Sequence, residues 1–219
     1  MLEDIPINTQ VAILAFVLGA LFGVTAQRTN FCTMGALSDV VFIGDWNRLR
    51  AWMLAVAVAT LASQGLELFE AVDLNASIYR SVNLGWLGAI IGGLMFGFGM
   101  TLAGGCANKT LVRLGGGNLK SFVVAVVLGI FAYMTLRGLI GLARVELQEV
   151  SMIDVSGWGA ANQGLPELLA VLGAPLGAAR IILTAMVAGA LVWFCFKDAG
   201  FRRSPQDVAA GLIVGLLVA

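Results

Sequence analysis

Two cysteines, Cys32 and Cys106, stand 74 positions apart at the ends of two similar segments. The first reads Gly19-Ala-Leu-Phe-Gly-Val-Thr-Ala-Gln-Arg-Thr-Asn-Phe-Cys32. The second reads Gly93-Leu-Met-Phe-Gly-Phe-Gly-Met-Thr-Leu-Ala-Gly-Gly-Cys106. Each starts as an apolar run with spaced glycines and ends in a helix-breaking stretch that delivers one thiol. A thiol serves as a nucleophile, a metal ligand or a weak hydrogen-bond donor. Histidine is absent and the three cysteines lack metal-type spacing, which argues against zinc, haem or iron–sulfur and leaves no cofactor to expect.

The residues around each thiol suggest anion chemistry. Thr29 and Asn30 are N-cap types, so a helix is expected to start close to Cys32 and Thr33. Gly104 and Gly105 free the backbone ahead of Cys106, and Asn108 and Lys109 open the next short helix. A helix start offers unpaired N–H groups and the positive end of the dipole, a combination that attracts anions. The candidate substrate-binding set is therefore Cys32, Cys106, Asn30, Thr33, Gly104, Gly105, Asn108 and Lys109. A lone cysteine in an apolar helix is usually an inert small hydrophobe, and Cys195, within Leu191-Val-Trp-Phe-Cys-Phe196, is read that way. Gly19, Gly23, Gly93 and Gly97 are expected to serve helix contact. Arg28 joins Lys109 as a charge that draws an anion inward. Arg48, Arg50, Arg113, Arg202 and Arg203 are assigned to topology, and the five tryptophans mostly to interface anchoring.

The elements that must position these residues follow from composition. The chain is 59% hydrophobic and only 12% charged, with a mean hydropathy of +0.93, too little polar surface for a water-soluble domain. The fold class expected is an all-α integral membrane protein with about six transmembrane helices. Spans fall near Val11–Ala26, Ala51–Leu66, Leu84–Leu102, Ser121–Leu136, Ala178–Phe196 and Val208–Ala219, the first five approaching the roughly 20 residues a bilayer requires. Met34–Ile43 and Thr110–Leu114 are too short to span and read as re-entrant half-helices. Such irregular backbone is tolerated at membrane depth only where protein or a wet cavity satisfies it. Gly138–Pro175 reads as an outer loop with a short surface helix after Pro166.

With the N-terminus outside, the inner side receives Arg28, Arg48, Arg50, Lys109, Arg113, Lys120, Lys197, Arg202 and Arg203. The outer side receives Arg80, Arg137, Arg144 and Arg180, and acids including Glu3, Asp4, Glu67 and Glu167 lie there too. Both cysteine segments then run outside to inside, which makes the internal repeat parallel. The expected organisation is one transmembrane domain over 1–219. Repeat unit 1 covers about 10–66, repeat unit 2 about 84–136, and the remaining helices 178–219. Val208–Ala219 stops inside an apolar run, which reads as truncation of a longer protein. The Met-Leu-Glu-Asp start lacks the basic residues of a signal peptide.

Two signatures resemble the YeeE/YedE family of proposed importers of thiosulfate and related sulfur compounds. They are Phe22-Gly23 with Arg28-Thr-Asn-Phe-Cys32-Thr-Met-Gly35, and Gly97 with Gly104-Gly-Cys106-Ala-Asn-Lys-Thr110. The resemblance implies an N-terminal portion of a family member in a bacterial inner membrane, with short helices meeting at a narrow waist. It implies that Cys32 and Cys106 pass a sulfur anion along by S–H contacts. It also implies a further cysteine in a C-terminal half this chain does not reach; Cys195 lacks the Gly-rich break and is not its substitute. A missing C-terminal half or a soluble sulfur carrier is a possible partner, and no nucleic acid is expected.

Thiosulfate suits this arrangement physically. Bare burial of a dianion is prohibitive, while amide N–H groups can replace water at its oxygens and neutral thiols can donate to its soft sulfur. Ionised thiolates would repel it. The alternative is a membrane thiol–disulfide or sulfur-transfer enzyme cycling Cys32 and Cys106, which no C-x-x-C motif supports. A third reading is a structural bundle whose breaks only pack.

Overall fold

A computed structural model of the chain describes residues 6–70, 72–73, 80–171, 173 and 175–219. Glu3, Asp4 and the side chain of Trp158 lie outside that set. The chain is an all-α integral membrane protein. Its long helices turn apolar side chains such as Phe16, Leu94, Leu102 and Tyr133 outward, the inverse of a water-soluble surface and the arrangement a bilayer favours.

Helix α1 covers Ile7–Thr29, and α2 covers Thr33–Ser38 and continues through a π-helical turn, Asp39–Ile43. Helix α3 is Asn47–Leu68. Strand β1, Asn83–Gly85, leads into α4, Trp86–Ala103. Helices α5, Ala107–Gly115, and α6, Leu119–Arg137, follow. Asn118 starts α6 by accepting hydrogen bonds from the amides of Lys120 and Ser121. Helix α7 is Leu139–Ser151, β2 is Met152–Asp154 and α8 is Leu165–Val171. Helices α9, Leu176–Phe196, α10, Ala199–Arg202, and α11, Pro205–Val218, complete the order.

Among the described residues, five helical runs are long and apolar enough to cross a membrane: Ile7–Ile43, Asn47–Leu68, Trp86–Gly115, Leu119–Arg137 and Leu176–Phe196. The sixth expected span is α11, which has 14 residues. Pro205 at its first turn fixes the start. The expected outer loop after Gly138 is largely structured. It holds α7, the short helix at Pro166, and β2, which pairs antiparallel with β1 in the register Asn83↔Asp154 to Gly85↔Met152.

The chain divides into two compact units, Met1–Ala62 with Ala188–Ala219, and Ser63–Val187. In the first, the core is built from small side chains: Ala26, Ala36, Ala51, Ala55, Ala57, Ala188 and Ala210 are all buried. Helix α11 lies against α3 at two glycines one turn apart. A Cβ on Gly211 would sit 2.8 Å from the Ala51 carbonyl oxygen, and one on Gly215 would sit 2.7 Å from Val58 Cβ. Close backbone approach through small residues is how helices associate without a hydrophobic driving force. The glycines expected to serve this purpose do not. Gly19, Gly23, Gly93 and Gly97 have nothing within 4 Å of where a Cβ would lie.

The second unit holds a four-charge cluster. Arg180 donates to Glu67 at 2.9 Å and to Glu167 at 2.6 Å. Arg80 donates through both terminal nitrogens to Glu67, at 3.2 and 3.3 Å. Glu167 is 4% exposed, so this acid of the expected outer loop is a buried, paired group. Burial pushes its carboxyl up, but the Arg180 hydrogen bond, a backbone hydrogen bond and the Arg180 and Arg80 charges outweigh burial and hold it below the ordinary 4.5.

Two predictions follow from this packing. Gly211→Ala or Gly215→Ala should cost about 1–3 kcal/mol through overpacking, whereas Gly19→Ala, in open space, should be neutral or stabilise by up to ~1 kcal/mol. Thermal unfolding in detergent separates them, and equal shifts would refute the contact assignment. Because Glu167 is depressed in the folded state, its contribution is present above the ordinary 4.5 and is lost as pH falls through its lower folded value. Melting temperature should therefore hold down to about pH 4.5 and drop progressively below it. Glu167→Gln should cost about 1–3 kcal/mol near neutrality and flatten the acid limb.

Candidate functional site

The two cysteine-bearing breaks have the same backbone design. Helix α1 ends at Asn30, which adopts a left-handed conformation (φ 52°, ψ 34°). Helix α4 ends at Gly104, also left-handed (φ 67°, ψ 24°). The next amide closes back over the helix end in each case: Phe31 N–H donates to the Ala26 carbonyl at 3.2 Å, and Gly105 N–H to the Met100 carbonyl at 3.1 Å. These donors are 74 positions apart, as are the acceptors. The bond is the six-to-one closure of a left-handed helix cap, which satisfies carbonyls that the ended helix leaves open.

The following residue is the cysteine, in extended conformation, serving as the N-cap of the next short helix. Its carbonyl accepts the first bond of that helix, from Ala36 N–H at 2.9 Å for Cys32 and from Thr110 N–H at 3.0 Å for Cys106. Both thiols are buried, at 6% and 5% exposure, and neither is in a disulfide. Thr33 is the first residue of α2 and is half-buried. Asn108 and Lys109 lie in the first turn of α5, also half-buried, and Gly105 is buried.

The expectation that Thr29 and Asn30 cap the helix after the break is overturned. Thr29 is the last residue of α1, and its hydroxyl donates back to the Thr25 carbonyl at 2.8 Å. Asn30 is the C-cap of α1, in the position Gly104 takes in the second unit. Asn is the side-chain-bearing residue that most readily enters the left-handed region, so it can stand where Gly would otherwise be required.

Arginines assigned to topology also take part in the breaks. Arg48, at the start of α3, donates to the Asn30 carbonyl at 2.6 Å and to Asp39 at 2.8 Å. Arg113 of α5 donates to the Gly104 carbonyl at 3.1 Å. Each guanidinium thus meets the left-handed residue's carbonyl at the negative end of a helix. Trp52, read as an interface anchor, stacks on Phe31 with ring centroids 5.9 Å apart. The sequence did contain one hint. Asp39 and Arg113 both lie seven residues beyond their cysteine, so the repeat carries opposite charges at one position.

In the first unit, Cys32 lines a narrow cleft with Thr29, Phe31, Arg48, Ala51, Asp207 and Ala210. Gln206, in the first turn of α11, donates to the Arg28 carbonyl at 2.8 Å. Cys195 is separate from this chemistry: fully buried, it donates its S–H to the Arg50 carbonyl at 3.2 Å. Among the described residues, no cluster of three or more acidic or cysteine ligands could hold a metal.

A family described as sulphur transport matches the chain over residues 28–219. Thiosulfate transporter TsuA of Escherichia coli (strain K12) is 32% identical over 120 residues, 55% of this chain and 31% of that protein. Thiosulfate transporter TsuA of Spirochaeta thermophila is 37% identical over 123 residues, 55% of this chain and 35% of that protein. Probable transporter YedE of Escherichia coli is 32% identical over 102 residues, 46% of this chain and 23% of that protein. The alignments span about a third of the length of the two thiosulfate transporters.

The caps generate a direct expectation. A Cβ on Gly104 meets nothing within 4 Å, so only its left-handed backbone resists substitution. Gly104→Ala should destabilise by about 1–2 kcal/mol, while Gly104→Asn, copying the first break, should cost measurably less. Chemical unfolding in detergent tests this, and an Asn variant as unstable as the Ala variant would sink the argument.

Proposed function

The chain belongs to the sulphur transport family, and from that premise we propose that it carries thiosulfate or a similar small sulfur anion across a bacterial inner membrane, past the thiols of Cys32 and Cys106. The observation that carries this reading is the shared break. Two helices end in the same left-handed closure, and each closure presents a cysteine at the start of a short helix. A break of this kind is costly in an apolar medium, and its recurrence with a thiol at the same place argues that the thiol is the reason for it.

The proposed roles follow from chemistry. Amides at the starts of α2 and α5 substitute for water at the anion's oxygens. Asn30, Gly104 and Gly105 shape the turns, while Thr33, Asn108 and Lys109 supply polar contacts beyond the thiols. Neutral S–H groups donate to the terminal sulfur, a contact sulfate cannot offer in the same form. Recognition would then discriminate the soft end of the anion from its oxygens. The two segments act as a parallel pair, with the N-terminus outside, an orientation supported by nine basic residues on the proposed inner side against four outside. The relatives that carry names are called transporters, and nothing in the geometry favours the enzyme reading.

Uptake of radiolabelled thiosulfate by cells expressing the chain tests the proposal. Cys32→Ser and Cys106→Ser should each reduce uptake to the level of cells lacking the protein, and Cys195→Ser should leave it intact. Excess unlabelled sulfate should compete poorly. Unchanged uptake in both site variants would refute the thiol path.

A further inference from the structure

We propose that Arg48 and Arg113 are positioning residues that hold closed the turns delivering the two cysteines, Arg48 for Cys32 and Arg113 for Cys106. In each unit a guanidinium binds the carbonyl two residues before the cysteine, on Asn30 in one and Gly104 in the other. The donors come from different places in the repeat. Arg48 reaches from α3, 16 positions beyond its cysteine, and Arg113 from α5, 7 positions beyond its own. Sequence repetition therefore does not produce the match; the carbonyl's need for a partner does.

The physical demand is specific. The left-handed residue's carbonyl belongs to the ended helix but has no intrahelical donor, and it sits at the negative end of the dipole. A neutral donor would satisfy it less well than a charged one. In the first break the site is built to receive the guanidinium. Position 35 is glycine, and a Cβ there would collide with the Arg48 guanidinium. Asp39, at the opening of the π turn, fixes the other arm of Arg48 at 2.8 Å. In the second break Arg113 replaces the acid at the equivalent position and binds the carbonyl directly. Both cysteines are buried, so a reagent reaches them only when the turn opens, and loss of the guanidinium should raise that opening.

This inference rests on the transport reading for its consequence but not for its test. The full chain in detergent is treated with N-ethylmaleimide, a neutral reagent, and labelling of each cysteine is followed by peptide mass spectrometry. Arg48→Met should label Cys32 roughly tenfold faster while leaving Cys106 within about twofold of the unaltered chain. Arg113→Met should give the reverse pattern. Arg48→Lys should restore most of the protection at Cys32. Gly35→Ala, which displaces the guanidinium and keeps the arginine, should behave as Arg48→Met. Equal acceleration at both cysteines would mean general destabilisation and would overturn the proposal, as would unaltered Cys32 rates in Arg48→Met or Gly35→Ala. Thiosulfate uptake is measured in parallel: a crossed labelling pattern in a chain that shows no uptake would overturn the transport reading and leave this inference standing.

Discussion

A helix that ends leaves carbonyls and amides in need of partners, and the architecture around Cys32 and Cys106 meets that need. A membrane helix can stop only if the carbonyls and amides it abandons find partners within the protein. Here Asn30 and Gly104 turn left-handed, the next amide folds back onto the helix end, and an arginine takes the left-handed residue's own carbonyl. The cysteine is the first residue free of this closure and becomes the cap of the next helix. Its position is therefore set by backbone hydrogen bonding, not by packing around the thiol.

The surroundings of the first break show the same economy. Small side chains let α11 approach α3 at Gly211 and Gly215. That approach brings Asp207 and Ala210 to the wall of the cleft that Cys32 and Arg48 share. Phe31 is held between the turn and Trp52. Larger residues at 211 or 215 would move one wall of the cleft without touching the cysteine. In the second unit, Glu67, Arg80, Glu167 and Arg180 neutralise one another, and these charges join segments that are far apart in the chain. Burying them would be prohibitive singly and is tolerable as a hydrogen-bonded set.

Several features were legible because they depend on local sequence alone. The long helices follow from apolar runs, and the ends of α4 and α5 follow from Gly104 and from the Gly115-Gly116-Gly117 stretch before Asn118. The two breaks were visible as glycine or polar residues preceding a cysteine. The helix α7 was missed because its apolar residues alternate with Arg144, Glu146 and Glu149, which reads as loop when only hydropathy is scanned. Gly19, Gly23, Gly93 and Gly97 have the same i, i+4 spacing as Gly211 and Gly215, yet only the latter pair meets a neighbouring helix closely. Spacing places glycines on one face but does not say which neighbour that face meets.

Sequence by itself determined the solvent, the helical class, the thiol pair and the kinship with sulphur transport proteins, since each is written in composition or in contiguous motifs. Tertiary structure alone decided which residues hold the breaks. Asn30 proved to be the end of one helix and not the start of another, because capping role depends on backbone dihedrals that residue type only biases. Arg48 and Arg113 proved to be partners of the breaks because a long side chain 18 or 9 residues away in sequence reaches a carbonyl only through the fold. Unpaired carbonyls are common to every helix end, and only the three-dimensional path of the chain decides which cation each one meets.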